Sequence, residues 1–138
     1  MRRLPIPFVA GIVIACVVLI GVSVRAQGGN AAARTLKNPV APAPASVTAG
    51  AAAYKKYCAF CHGAAGKGDG RLAPRDSMPA DLTDDVWDHG ATDGEIFTVI
   101  ATGIPNTSMV GFKGKMPDQD LWHVVNFLRS IGPTPPAR

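Results

Sequence analysis

The sequence predicts an all-α fold of three main helices joined by long loops. Leu121, Val124, Val125 and Leu128 recur at helical spacing and form an apolar stripe, widened by Trp122 and Phe127. Thr92 and Glu95 stand as an N-cap hydroxyl and an N3 carboxylate, a capping box that marks a helix start. No convincing strand alternation occurs between residues 48 and 132.

The first helix is expected over 48–57, with Thr48 as its cap and with Gly50 and Tyr54 on one face at i, i+4 spacing. The second follows the Thr92 box, carries Ile96, Phe97, Val99 and Ile100, and stops at Gly103. The third is expected over 117–130. Pro117 suits the first helical position, Asp118 and Asp120 favour the positive end of the helix dipole, and Gly132 ends it.

Four zones organise the chain. Residues 1–26 form a membrane anchor or signal: Arg2 and Arg3 precede an uncharged stretch over 7–24, and about 18 apolar residues is near the minimum for spanning a bilayer. A retained anchor ranks first and a cleaved signal, with Val24-Arg25-Ala26 as the cut, second. A lipid on Cys16 ranks third, because the run stays apolar beyond it. The lysine and arginine bias puts the N-terminus in the cytoplasm and the rest on the periplasmic side of a bacterial inner membrane, or free in the periplasm after cleavage. Residues 27–47, rich in Ala, Pro and Gly, read as an extended, semi-rigid linker. Residues 48–132 form one domain, and 133–138 a proline-rich tail. A domain of about 85 residues has a limited core of its own.

The chemistry concentrates in Cys58-Ala59-Phe60-Cys61-His62. Two thiols three positions apart with a histidine after the second are the attachment signature of c-type haem. One helical turn brings both sulfurs to one side of a porphyrin, where each can form a thioether to a vinyl group, and His62 follows as proximal iron ligand. A thioredoxin-type dithiol would want a preceding strand, but residues 50–57 read as helix. Zinc would need a second ligand pair, and only His89 and His123 remain. Gly66-Lys67-Gly68-Asp69-Gly70 lacks the strand–loop–helix context of a phosphate loop.

An electron-carrying haem iron wants both axial positions filled. Met78, Met109 and Met116 follow the motif, and a single methionine is most often core filler. Met109 stands apart because its segment is irregular and pinned by Gly103, Pro105 and Gly111. His89 is the rival, and His123 reads as a surface residue of the last helix.

From Gly50 to Gly132 the chain resembles the class I monohaem cytochromes c, in particular the small bacterial domains found free or attached to oxidases and dehydrogenases. The resemblance rests on Gly50-x-x-x-Tyr54 before the motif, Val124-Val125-Asn126-Phe127-Leu128, Pro79-Ala80-Asp81-Leu82-Thr83, and the segment from Gly103 to Met109. It implies a cytochrome c-like domain whose terminal helices cross at Gly50, with Tyr54 meeting Phe127. It also implies one covalent haem c held by Cys58 and Cys61, with His62 and Met109 as iron ligands. The Pro74 carbonyl is then expected to accept the other N–H of His62, a bond that fixes a ligand ring and raises its basicity. Two departures stand out: Val110 replaces the proline that often follows the axial methionine, and Pro117 replaces a capping Ser or Thr.

The formal charge of +4 is misleading, because Arg2, Arg3, Arg25, Arg34, Lys37 and Arg138 all lie outside the domain. Residues 48–132 carry eight basic and ten acidic side chains, a balance of −2, so charge gives nucleic-acid binding no support. Lys55, Lys56, Lys67, Lys113 and Lys115 flank the motif and Met109 in sequence, which leads to the expectation of a lysine-ringed edge facing an acidic redox partner. With no legible proton-transfer group or substrate pocket, the expected role is a non-enzymatic electron carrier, a monomeric domain or a subunit of a larger complex. The competing roles are the electron-entry subunit of a dehydrogenase or terminal oxidase, and a gas-binding or sensor haem protein.

Overall fold

A computed structural model describes residues 30–133. It contains α1 (Ala31–Arg34), α2 (Pro44–Tyr57), α3 (Ala59–His62), α4 (Asp93–Thr102) and α5 (Asp118–Ile131). Among the described residues there is no strand, only isolated bridges pairing Gly103 with Val110 and Lys113 with Met116. The fold is all-α, as predicted. The anchor or signal expected over 1–26 lies outside the described residues, and among these no helix is long and apolar enough to cross a membrane.

The fold is organised by the crossing of α2 and α5, the most extensive contact between its helices. Gly50 makes that crossing possible: a β-carbon there would run into the His123 carbonyl and the Phe127 side chain. One turn on, the Tyr54 and Phe127 rings meet with centroids 5.1 Å apart. α4 packs against α5 through Phe97 and Trp122, stacked at 4.0 Å. Leu121, Val124, Val125 and Leu128 are buried as the stripe requires, and Met116 joins them in the core.

The Thr92 capping box forms: the Glu95 N–H donates to Thr92 Oγ1 (3.2 Å) and the Thr92 N–H to Glu95 Oε2 (3.0 Å). α2 starts earlier than its expected cap. Pro44 occupies the first position, where its missing N–H costs nothing and its fixed φ suits a helix. Thr48 is therefore interior, and its hydroxyl donates to the Pro44 carbonyl at 2.9 Å. α5 starts at Asp118, with Pro117 as the residue before it.

The spacer reading of 27–47 does not hold from Asn30 onward. Residues 30–43 lie against α4 and α5, with Ala33 5% exposed and the Arg34 guanidinium 2.8 Å from the Glu95 carboxylate. Asn126 of α5 is 4% exposed, and its amide bonds to Asn38, Val40, Ala41 and Ser46. An unsatisfied buried polar group costs about 1–3 kcal/mol. That penalty makes this segment part of the domain. His123, expected at the surface, is half-buried and shares a 2.8 Å hydrogen bond with Ser46.

Candidate cofactor site

Cys58 ends α2 and starts α3, so the two helices meet at the first thiol. Its carbonyl accepts from the Cys61 N–H (3.1 Å) and the His62 N–H (2.9 Å), which winds Cys61 and His62 onto one turn. The following loop closes on that turn. Gly68 N–H donates to the His62 carbonyl, Gly70 to Cys61 and Leu72 to Phe60, at 2.9, 3.1 and 2.8 Å. Tyr54, 2% exposed, donates its hydroxyl to the Gly63 carbonyl at 2.8 Å. Burial, then the nearby Cys58 and Asp69 charges, push that phenol up to about 12.

Cys58, Cys61, His62 and Met109 all line one cavity of about 380 Å³. Tyr54 and Tyr57 of α2, Ile96, Val99 and Ile100 of α4, and Val124 and Leu128 of α5 form its apolar walls. Two long loops complete it, one from Pro74 to Gly90 and the other through Ile104 and Met109 to Phe112. The loop aromatics Trp87 and Phe112 had no periodicity to mark them in the sequence.

Cys58 and Cys61 are half-buried on the lining of this cavity. Both are free, and burial, then the Cys61 charge, push Cys58 up to about 11. A reactive dithiol has a first cysteine with a depressed pKa. Burial lowers His62, while the Ala80 backbone alongside opposes the shift. The ring is thereby kept neutral, the form that ligates metal. Its Nδ1 is buried without a hydrogen-bond partner, so the bond expected from the Pro74 carbonyl is not made, although Pro74 lines the cavity. Two free thiols, a buried imidazole and an apolar cavity beside them fit a covalently attached haem. Among the described residues no group of three or more His, Cys, Asp or Glu is arranged to hold a metal ion.

Met109 is half-buried and held from both sides. Its N–H donates to Thr107 Oγ1 (3.0 Å), and its carbonyl accepts from the Ile104 N–H (2.9 Å). Phe112 and Lys113 then donate to the carbonyls of Ile100 and Ala101, both at 3.0 Å, tying the loop to the end of α4. Met78 and His89 line the same cavity but are exposed. Met116 is in the core.

Charge around the cavity departs from a simple lysine ring. Lys56 sits 4.8 Å from the Tyr57 ring centroid and Lys115 5.9 Å from that of Phe112, and these two rings meet edge to face at 5.9 Å. Lys67 instead pairs with Asp81 at 3.3 Å and bonds Thr83. The Thr83 hydroxyl, more than Lys67, holds the Asp81 carboxyl below its ordinary value. Asp81 and Asp88 line the cavity, so acidic groups stand at it as well as basic ones.

The match to known proteins covers this site. The family model described as cytochrome c oxidase, cbb3-type, subunit III matches residues 45–128. A chain of the Kuenenia stuttgartiensis reducing HAO-like protein complex is similar at 25% identity and a TM-score of 0.63, covering 71% of this chain and 50% of that one. Cytochrome cL from the marine methylotrophic bacterium Methylophaga aminisulfidivorans shares the fold at 23% identity and a TM-score of 0.53, covering 64% of this chain and 55% of that one. The chain thus spans about half the length of these solved chains. No curated protein matches it. Matched over most of its length, the chain belongs to the family of cbb3-type cytochrome c oxidase subunit III and is a monohaem class I cytochrome c, carrying one covalently bound haem c.

Proposed function

We propose that this cytochrome carries single electrons through a haem held by Cys58 and Cys61 and ligated by His62 and Met109, on the periplasmic side of a bacterial inner membrane. The observation that carries the reading is that His62 and Met109, far apart in sequence, line one apolar cavity beside both thiols. The haem, when bound, supplies the one-electron couple. Cys58 and Cys61 hold it covalently, and His62 offers a neutral imidazole. The hydrogen-bonded loop from Ile104 to Phe112 presents Met109 and limits its movement. The apolar walls keep water from the site, and a Met/His ligand pair raises the reduction potential. Lys56 and Lys115 steer an acidic partner to the cavity edge, so that association weakens with salt.

A second reading is favoured by the family match and by the neighbour that is part of a complex: an electron-entry subunit of a larger oxidoreductase. Co-purification in mild detergent separates the two, since a shuttle comes away alone. Methionine–iron absorbance tests the ligand set. It is expected to vanish in Met109→Ala and persist in Met78→Ala and His89→Ala. Rapid CO binding by the resting ferrous protein would instead favour a gas-binding role.

A further inference from the structure

The cavity occupies only one face of α4 and α5. On α5 it is lined by Val124 and Leu128, whereas Asn126 lies on the opposite side of the helix. On α4 it is lined by Ile96, Val99 and Ile100, with Gly94 turned away from them. Residues 30–43 bind those opposite faces.

The attachment is specific at each step. Asn30 caps α1 through its side-chain oxygen, which accepts from the N–H groups of Ala32 (3.0 Å) and Ala33 (3.2 Å). Gly94 lets that turn lie directly on α4, because a β-carbon there would strike the carbonyls of Ala33 and Leu36. Arg34 reaches Glu95, which is 2% exposed. Asn38 then donates to Asn126 Oδ1 (2.8 Å), and Asn126 Nδ2 answers by donating to the carbonyls of Val40 (3.1 Å) and Ala41 (3.3 Å).

We propose that residues 30–43 are a clasp that roots the N-terminal segment on the back of the domain and turns the cavity toward a redox protein arriving from the aqueous side. The proposal rests on the reading of residues 1–26 as a membrane anchor. The clasp shortens the free tether sharply. An extended chain from 27 to 47 would reach about 70 Å, whereas the span from 26 to 30 reaches at most about 14 Å. A domain on so short a tether, held by its back, cannot roll its cavity onto the bilayer while the clasp is closed. Charges of both signs at the cavity, Lys56 and Lys115 over the rings of Tyr57 and Phe112 and Asp81 and Asp88 on its lining, then orient the arriving protein.

The test uses the full-length ferrous holoprotein in phosphatidylcholine vesicles. It is oxidised by a water-soluble ferrocenium carboxylate or by ferrocenium linked to a lipid headgroup, each reduced to ferrocene by one electron. The soluble oxidant is expected to react at least tenfold faster at matched driving force, and the Arg34→Ala/Asn38→Ala variant to narrow that gap. Equal rates for the two oxidants in the unaltered protein would overturn the orientation. Hydrogen exchange judges the clasp separately: the amides of Arg34, Leu36 and Val40 are expected to be protected alongside α4, and free-chain exchange there would overturn it. Failure of the protein to float with the vesicles would defeat the anchor reading and the membrane-facing part of the proposal with it. The exchange pattern would still decide the clasp.

Discussion

The Tyr54 hydroxyl lies 2.8 Å from the carbonyl of Gly63, the residue directly after His62. One buried side chain thus serves two structures at once. Its ring meets Phe127 at a 48° tilt at the helix crossing, and its hydroxyl closes the end of the attachment turn. Tyr54→Phe keeps the ring and removes only the bond, leaving a carbonyl that still accepts from the Gly66 N–H at 3.2 Å. The expected loss is about 1 kcal/mol of unfolding free energy, with haem attachment retained. Guanidinium denaturation of the holoprotein measures it, and an unchanged midpoint would show the bond to be idle.

Gly50→Ala tests the crossing itself. The added methyl meets backbone, the His123 carbonyl, and backbone cannot swing aside as a flexible side chain can. Overpacking of this type costs about 1–3 kcal/mol. A lowered melting temperature is expected despite alanine's better helix propensity, and a stabilised Gly50→Ala protein would refute the contact.

The thioether assignment has a direct readout in mass. Cys58→Ala and Cys61→Ala should each leave haem attached through one bond at most, and the double variant should carry none after acid–acetone extraction. Cys16→Ala should leave the covalent haem unchanged. Intact-mass spectra of all four proteins decide the matter.

Glu95 gives the domain an acid-sensitive joint. Burial pushes its carboxyl up, but the Arg34 hydrogen bond, the Thr92 backbone and hydroxyl groups and the Arg34 charge outweigh burial, and the net shift is downward. A carboxyl depressed in the folded state adds stability above its unfolded value, here the ordinary 4.5. That contribution fades as pH falls through 4.5 and is gone below the folded value. Urea midpoints from pH 7 to pH 3 should therefore fall less steeply in Glu95→Gln than in the unaltered protein. Parallel slopes would show that Glu95 does not contribute.

Much of this arrangement was legible in the residues alone. The stripe on α5 announced its buried face because a helix presents every third or fourth residue to one side. The Thr92 box announced the start of α4 because its two partners are only three residues apart. Less was visible where function depends on loops. Trp87 and Phe112 reach the cavity from irregular segments, and no short-range spacing encodes where such a side chain ends up. Asn126 was the one local hint of the clasp, a polar residue set between Val125 and Phe127. Its partners lie eighty or more positions away, so only the folded chain identifies them.

The sequence by itself determined the helical class, the attachment turn at Cys58 to His62 and the covalent cofactor, since each depends on neighbours within one or two turns. Tertiary structure alone decided that Met109, together with the exposed Met78 and His89, shares the cavity of His62. It also decided that residues 30–43 are bound rather than free. A proline-rich segment has no local preference for packing. It is held here because two buried polar groups on distant helices, Glu95 and Asn126, take hydrogen bonds from it.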